Sequence, residues 1–241
     1  MAAKTLRAMR NGGIFDQLGY GLHRYSTDGQ WLVPHFEKML YAQALLILAA
    51  LELFRATADG EHARTAREVL EYVLRDLRAP EGWFCAAEDA DSEGEEGLYY
   101  LWTAEEIAAV LGADDAALFG RVYDIRPGGN FEGRAIPNRL AHPDPLSGED
   151  EARLEAMAAR LHDRRWSRSH PGRDDKVLAD WNGLMIAGLA EAGMIFDRPD
   201  QVARAARAFD AVLASHDRNG RLGHAARDGR LVWPGLLDDH A

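Results

Sequence analysis

The chain has 241 residues, of which 47% are hydrophobic and 28% charged, a composition typical of one large or two small globular domains. Its formal net charge of −11 argues against a surface for nucleic acid or anionic membranes, because such surfaces need clustered lysine and arginine. Cys85 is the only cysteine, so the chain cannot form an internal disulfide, a CxxC redox pair or a thiolate zinc cluster.

The sequence predicts a cytoplasmic protein with no membrane partner and no nucleic-acid partner. The first residues lack the long apolar run of a secretory signal peptide. The longest apolar run, residues 42–51, is too short to cross a bilayer. The single cysteine suits a reducing compartment. The oligomeric state cannot be predicted from these features.

The first half of the chain is predicted to be helical, with one β-hairpin. Residues 5–10 end a helix, and Pro34 begins a long one, because apolar side chains recur at helical spacing from there to residue 54. A second helix covers about residues 62–77. The segment 82–103 has aromatic ends around an acidic middle that contains glycine, which is typical of a β-hairpin.

Helix pairs continue in the second half. Thr103 and Glu106 form the pattern of a capping box, and Ser147 is predicted to cap a helix that runs through residue 165. A further pair covers about residues 177–196 and 199–216, and a hairpin-like stretch and the predicted start of another helix follow. Because strands and helices do not alternate as in a parallel sheet, the pattern predicts an all-α fold, an α/α toroid or solenoid.

A histidine, a carboxylate and an amine cluster where the long helix is predicted to begin. Glu37 suits the positive end of the helix dipole, and Lys38 is interpreted as a solvated side chain. His35 is harder to explain, because a cap at this place would ordinarily be serine or aspartate. For His35 considered alone, a structural hydrogen bond is the simpler interpretation.

Polar residues also gather in the acidic hairpin, at another helix start and near the end of the chain. Alternate helices of a toroid direct their N-termini to one end, so loops there converge on one cavity. Carboxylates, histidine, tryptophan and asparagine in such a cavity are typical of a carbohydrate site. Ordinary structural interpretations stand beside this one: Asp180 as a helix cap, Trp181 as a core residue, and Glu93, Glu95 and Glu96 as solvated surface.

Known cofactor and metal motifs fit the chain poorly. The stretch "DADSEG" copies the start of an EF-hand loop, but the position that requires glutamate holds Tyr100, and flanking helices are missing. At most a weak cation site remains there. Glycine-rich nucleotide loops and the HExxH and GxSxG motifs are absent. We therefore expect no cofactor and no metal.

Five stretches, in order from Gly12 to Ala241, resemble the YyaL / spermatogenesis-associated protein 20 family: "GGIFDQLGYGLHRYSTDGQWLVPHFEKMLYAQALL", "AAEDADSEGEEGLYYLWT", "GNFEGRAIPN", "DDKVLADWNGLMIAGLAEA" and "GLLDDHA". The resemblance implies a thioredoxin-like domain followed by an (α/α)6 toroid of the six-hairpin glycosidase type. Residues 1–241 would be part of that one toroid domain, without the thioredoxin-like domain and the closing helices. The toroid is similar to those of sugar 2-epimerases and glycosidases, which implies a carbohydrate ligand by analogy.

The leading hypothesis is a sugar-modifying enzyme, either a glycoside hydrolase or an epimerase. The catalytic candidates are Glu88, Asp89, Asp180, Asp238 and His35. The substrate-binding candidates are Arg24, Glu37, Asp91, Asp175, Lys176, Trp181, Asn182 and Asp239. A hydrolase would set Glu88 or Asp89 against Asp180 or Asp238. An epimerase would use His35 as base, because histidine titrates near neutrality. The alternative is a non-catalytic module that binds a glycan or a protein, with a thioredoxin-like domain supplying any chemistry.

Overall fold

Helices dominate the architecture. A computed structural model describes every residue, Met1–Ala241. The helices are α1 (Ala2–Asn11), α2 (Leu40–Thr57), α3 (Gly60–Tyr72), α4 (Ala104–Leu111), α5 (Ala113–Tyr123), α6 (Gly148–Arg165), α7 (Ala179–Ile195) and α8 (Pro199–His216). A π-helical turn, Val73–Leu77, extends α3, and a 3-10 turn, Asp238–His240, lies near the end of the chain.

Short antiparallel strands occupy many of the connections between helices. They are β1 (Tyr25–Ser26), β2 (Pro34–His35), β3 (Lys38–Met39), β4 (Ala87–Glu88), β5 (Asp91–Ser92), β6 (Glu95–Glu96), β7 (Arg173–Asp174), β8 (Val177–Leu178), β9 (Asp217–Arg218), β10 (Arg221–Leu222), β11 (Ala225–Arg227) and β12 (Arg230–Val232). Three sheets are two-stranded, β1-β2, β5-β6 and β9-β10, and two are three-stranded, in the orders β3-β4-β7 and β12-β11-β8. The structure confirms the predicted all-α class, with the helical hairpins and short β-hairpins expected of a partial (α/α)6 toroid.

The chain divides into two compact units, each built from two separate stretches. The first unit contains Met1–Glu37 and Asp89–Gly172, and the second contains Lys38–Glu88 and Arg173–Ala241. This division does not test whether residues 1–241 belong to one toroid domain, which stays a prediction.

Two helical hairpins form the second unit. Helix α2 packs against α3 and α7, and α7 packs against α8. The connections at residues 58–59 and 196–198 are so short that each pair must be antiparallel. By length and composition alone, α2 is apolar enough to cross a membrane. Core helices share that property, and α2 buries Leu40, Ala44, Ile47 and Leu51 completely.

The first unit encloses both an apolar core and a buried ion pair. Trp102, Phe119 and Leu161 belong to a cluster formed by α4, α5, α6 and the preceding loop. The Arg165 guanidinium donates two hydrogen bonds to the Asp16 carboxylate, at 2.9 and 2.7 Å, and both side chains are under 5% exposed. Such a pair constrains the loop that carries Asp16, because unpaired charges are costly to bury.

The predicted start of the long helix was wrong. Helix α2 begins at Leu40, whereas Pro34 lies in β2, which pairs with β1. Lys38 lies in β3, which pairs with β4, and it is buried rather than solvated as predicted. These ladders satisfy the backbone groups that a helical turn would have used. His35 and Glu37 therefore lie in extended chain before the helix.

The other predicted elements have mixed outcomes. The capping box of Thr103 and Glu106 is confirmed, as is the Ser147 cap. The predicted hairpin over residues 82–103 is confined to β5 and β6, because β4 pairs instead with β3 and β7. Helix α5 was not predicted. The hairpins within residues 217–235 are confirmed, and the predicted start of another helix is only a 3-10 turn.

Candidate functional site

Three polar side chains converge in the second unit. Asp180 lies in the first turn of α7, directly after β8, where the helix dipole favours a carboxylate. His224 precedes β11, and its backbone N–H donates to Val232 while its carbonyl accepts from Ala179. Asp239 lies in the 3-10 turn near the end of the chain. The sheet containing β8 and β11 therefore brings the loop carrying His224 to the start of α7.

The Asp239 carboxylate is the centre of this group. Its two oxygens lie 3.2 and 3.1 Å from Nδ1 of His224. They also accept backbone N–H groups, from Asp180 at 3.3 Å and from Leu236 at 2.6 Å. The Asp239 side chain is 0% exposed, whereas that of His224 is 30% exposed. Because an ionised carboxylate can only accept, Nδ1 carries a proton, and whenever the ring is neutral its lone pair is at Nε2.

Asp180 supplies a carboxyl group of altered acidity. Its burial and then the neighbouring Asp239 carboxylate raise its pKa above the ordinary value of 3.8. The backbone N–H of Trp181, at 2.8 Å, and the charge of His224 oppose that rise without cancelling it. A carboxyl group that keeps its proton to higher pH is suited to donate it during a reaction.

The same three residues also have the donor types of a divalent-cation site. One ligand atom from each of Asp180, His224 and Asp239 lies within 4.8 Å of the others. Carboxylate oxygen and imidazole nitrogen bind many divalent metals. However, both Asp239 oxygens already accept hydrogen bonds, one of them at 2.6 Å. We therefore favour acid–base chemistry over metal binding for this group.

Glu88 belongs to a second polar group of the same unit. The Tyr72 hydroxyl donates to Oε2 of Glu88 at 2.6 Å. Lys38 lies opposite Glu88 in the β3–β4 register, and its Nζ is 4.4 Å from the centroid of the Tyr72 ring. The buried ammonium therefore lies against an aromatic face, in a cation–π contact. Sequence reasoning found Glu88 but missed both of its neighbours.

Three candidates come together in the first unit. Nη1 of Arg24 lies 2.9 Å from Oε2 of Glu37, and Nε2 of His35 lies 3.6 Å from the same oxygen. Nδ1 of His35 is 2.7 Å from Oε1 of Glu96. Glu96, predicted to be solvated surface, is exposed but also holds this ring. With a carboxylate facing each nitrogen, His35 is placed as a member of an ion-pair network rather than as an open base.

Five further candidates are exposed. Asp89 and Asp91 belong to the first unit, and Asp175, Lys176 and Asp238 belong to the second. Oδ1 of Asp175 pairs with Nε of Arg227 at 2.8 Å, and Nζ of Lys176 pairs with Asp174 at 3.0 Å. Exposed pairs of this kind contribute little to stability.

Trp181 and Asn182 have contacts that hold the fold together. The Trp181 ring packs on Tyr41, with centroids 4.9 Å apart. Asn182 is completely buried, and its amide accepts from the N–H of Phe84 and donates to the carbonyls of Phe84 and Leu178. All polar atoms of this amide are used, so Asn182 anchors the segment before β4 to the start of α7.

His224 was missed by sequence reasoning. It stands alone in the hairpin-like stretch, without the regular spacing to an acid that marks a metal or catalytic motif. Its partners, Asp239 and Asp180, are 15 and 44 positions away and meet it only through the sheet β12-β11-β8 and the 3-10 turn. No local signal in the sequence identifies such a contact.

Two sugar-processing enzymes are among the known structures that structure comparison finds, at low similarity. A D-mannose isomerase has a TM-score of 0.34 and 15% identity, over 96% of this chain and 57% of that one. The cellobiose 2-epimerase of Spirochaeta thermophila has a TM-score of 0.34 and 14% identity, over 99% of this chain and 76% of that one. Because both TM-scores lie below 0.5, we draw nothing about function from them.

Sequence comparison gives the family. No family model matches the chain. A trehalose synthase of Pimelobacter is 27% identical over 164 residues, 61% of this chain and 27% of that protein. Human spermatogenesis-associated protein 20 is 38% identical over 232 residues, which is 81% of this chain but only 29% of that protein. The chain is therefore a homologue of one segment of spermatogenesis-associated protein 20, and the resemblance to that family is confirmed.

Proposed function

We propose that this chain is a carbohydrate-processing domain, in which His224 and Asp180 act as base and acid in a sugar isomerase-like reaction. The observation that carries the proposal is the buried Asp239 carboxylate, which orients His224 beside a second carboxyl group of raised pKa. A base and an acid held side by side at one place are what a proton-transfer enzyme requires.

The reaction we propose moves a proton beside a sugar carbonyl. With the sugar in its open-chain form, Nε2 of His224 takes the proton from C2 while the Asp180 carboxyl gives its proton to the C1 carbonyl oxygen. The product of this step is an enediol. The histidine then returns its proton to C1 while the C2 hydroxyl gives its proton back to Asp180, so the aldose becomes a ketose. One base on one face of the enediol suffices for this isomerisation, whereas epimerisation at C2 also needs a proton donor on the opposite face.

Glycoside hydrolysis fits this group less well. A hydrolase needs two carboxyl groups that both reach the substrate, as acid and as nucleophile or base. The Asp239 side chain is inaccessible, and each of its oxygens already accepts hydrogen bonds. Asp180 is then the only carboxyl of the group that can reach a ligand. The group therefore favours proton transfer to and from a ligand by Asp180 and the partly exposed His224.

The trehalose synthase relative supports a sugar as the ligand, since its name identifies a protein that makes a disaccharide. We also propose that full-length relatives combine this toroid segment with a thioredoxin-like domain. The chain spans only 29% of the human protein, which leaves room for such a domain there. A cytoplasmic location suits the single buried cysteine, Cys85.

The direct test is a panel of sugars in D2O, followed by proton NMR. In this panel the reducing aldoses glucose, mannose and maltose should lose their C2 proton signal as an isomer appears. Fructose, which has no C2 proton, should exchange a C1 proton in the reverse reaction, and trehalose, which has no open-chain form, should stay unchanged. His224→Gln and Asp180→Asn should abolish the change. The matched controls are His240→Gln, an exposed histidine, and Asp114→Asn, an exposed carboxylate in the first turn of α5. Both controls should behave as the unsubstituted chain.

Other outcomes have distinct meanings. New reducing-end signals without C2 exchange would indicate hydrolysis and contradict the assignment of His224 as base. Activity that survives in both variants would place the chemistry elsewhere. Activity that appears only after addition of a divalent cation would favour the metal alternative at Asp180, His224 and Asp239. Sugars left unchanged but bound would favour the non-catalytic module.

A further inference from the structure

A cleft of about 610 Å3 lies in the second unit, apart from the three-residue group described above. The segments that line it include the residues that come after the π turn of α3, the end of α8, and the β11–β12 hairpin. Its lining includes Trp83, Cys85, Arg173, Asp175, Arg227 and Arg230. Its volume is within the range of small-molecule sites, roughly 300–1,000 Å3.

The charges of this cleft alternate in sign. Three arginines line it, at positions 173, 227 and 230, and three acids, Glu81, Asp175 and Asp228. Nε of Arg227 lies 2.8 Å from Oδ1 of Asp175 and 3.9 Å from Oδ2 of Asp228. The formal charges cancel, which disfavours a phosphate or a cation as ligand. The cleft instead offers hydrogen-bond donors next to hydrogen-bond acceptors. A row of hydroxyl groups can bind both, because each hydroxyl donates and accepts hydrogen bonds.

The hairpin fixes two of these arginines in one place. Arg227 and Arg230 are directly opposite each other in the β11–β12 register. Asp228 and Gly229 form the turn between them, with φ values of +50° and +70°. Like charges directly opposite on a hairpin destabilise it, so this pairing is a cost to the fold. The acids Asp175 and Asp228 offset part of that cost and complete the polar wall of the cleft.

Trp83 supplies an aromatic wall. It is partly buried, and its carbonyl accepts the N–H of Ala79 at 2.9 Å, which holds the turn that carries it. A sugar ring has a flat apolar face with hydroxyl groups around its edge. An aromatic side chain can pack against that face while neighbouring polar groups bind the hydroxyls. We propose that this cleft is a binding subsite for a neutral saccharide, with Trp83 against the ring and the arginines and acids on the hydroxyls. The proposal shares with the proposed function only the assignment of a carbohydrate ligand.

Ligand-detected saturation-transfer NMR on the full 241-residue chain tests this subsite, with maltose and trehalose as probes. Trp83→Ala and Arg230→Gln should each weaken sugar binding about tenfold or more, since each removes a contact to the ligand. Arg230 is exposed, so its substitution carries little risk to folding. The matched control for Trp83 is Trp166→Ala, an exposed tryptophan of the first unit, and binding should be retained there.

The outcomes separate this subsite from the proposed catalysis. His224→Gln should bind the sugars as well as the unsubstituted chain does, even if it is inactive. Binding that is equally strong in Trp83→Ala and Arg230→Gln, or no binding of either sugar, would overturn the proposal. Displacement of the sugar by inorganic phosphate would also overturn it, because the arginines would then form an anion site. Suppose that the chain isomerises no sugar, but binds sugars and loses this binding only in Trp83→Ala and Arg230→Gln. The proposed reaction would then be disproved, and the proposed subsite would be supported.

Discussion

The buried carboxylate of Asp239 holds Nδ1 of His224 at 3.1 Å while its other contacts are backbone N–H groups. This contact fixes both the direction of the imidazole and the nitrogen that carries its proton. Whenever the ring is neutral, its lone pair is then at Nε2 rather than at the nitrogen that contacts Asp239. The same carboxylate ties the end of the chain to the start of α7, so structure and proposed chemistry depend on one residue.

Asp239→Asn should disturb this arrangement without changing side-chain volume. An amide can donate to Nδ1, which would shift the His224 proton to Nε2 and reverse the tautomer. The free energy of unfolding should fall by about 1–3 kcal/mol, since buried backbone donors lose a charged acceptor. Nitrogen-15 NMR of the His224 ring measures the tautomer, with the exposed neighbour Asp238→Asn as control. An unchanged tautomer would refute the orienting role.

Asp180→Asn should stabilise the fold in a pH-dependent way. The pKa of Asp180 is raised by burial and by Asp239, so ionising this carboxyl costs more free energy in the folded state than in the unfolded state. That penalty is absent below the ordinary value of 3.8 and grows as the pH rises through the folded-state pKa. The melting temperature of the variant should therefore exceed that of the unsubstituted chain at neutral pH and match it in acid. A difference that is largest in acid would contradict this sign.

Asp28→Asn should act in the opposite direction. Although burial favours the neutral acid, backbone N–H groups of Val33, Gln30, Leu32 and Trp31 lower the pKa of Asp28 below 3.8. The stabilisation that the carboxylate provides is thus present above 3.8 and is lost as the pH falls through the folded-state pKa. Thermal melts should show the variant less stable at neutral pH, with the gap closing in acid. A gap independent of pH would exclude the charge as its cause.

Asp16→Ala should be the most damaging of these substitutions to stability. It leaves the buried Arg165 guanidinium without its carboxylate partner, and such changes cost about 3–5 kcal/mol. Denaturant unfolding measures the loss. The control is Asp200→Ala, which removes an exposed partner of Arg198 and should change stability little. If the two substitutions lowered the free energy of unfolding equally, the buried pair would contribute no more to stability than the exposed pair does.

The helical pattern could be predicted from the sequence wherever local signals coincide. Capping residues such as Thr103 and Ser147 mark helix starts, and apolar spacing identifies α3, α7 and α8. The start of α2 could not be predicted, because Pro34–His35 pairs with the nearby strand β1 and Lys38–Met39 pairs with β4, which lies far along the chain. Tertiary pairing there overrides a local pattern that suits a helix.

The candidate site was only partly predictable. Asp180 and Asp239 were identified because carboxylates beside helix starts are visible in the sequence. His224 and Lys38 were not, because their surroundings depend on strand register rather than on neighbours along the chain. Asn182 is the opposite case. The sequence made it a substrate-binding candidate, but its amide is used entirely for hydrogen bonds to the backbone.

The rate of C2 hydrogen exchange into D2O tests the central claim most directly. On any sugar of the panel that exchanges, His224→Gln and Asp180→Asn should each reduce the rate by about 100-fold or more. The double variant should be little worse than the more damaged single variant, because acid and base act as a unit. His240→Gln and Asp114→Asn should retain the full rate. Exchange at an unchanged rate in both single variants, or exchange on no sugar of the panel, would contradict the account.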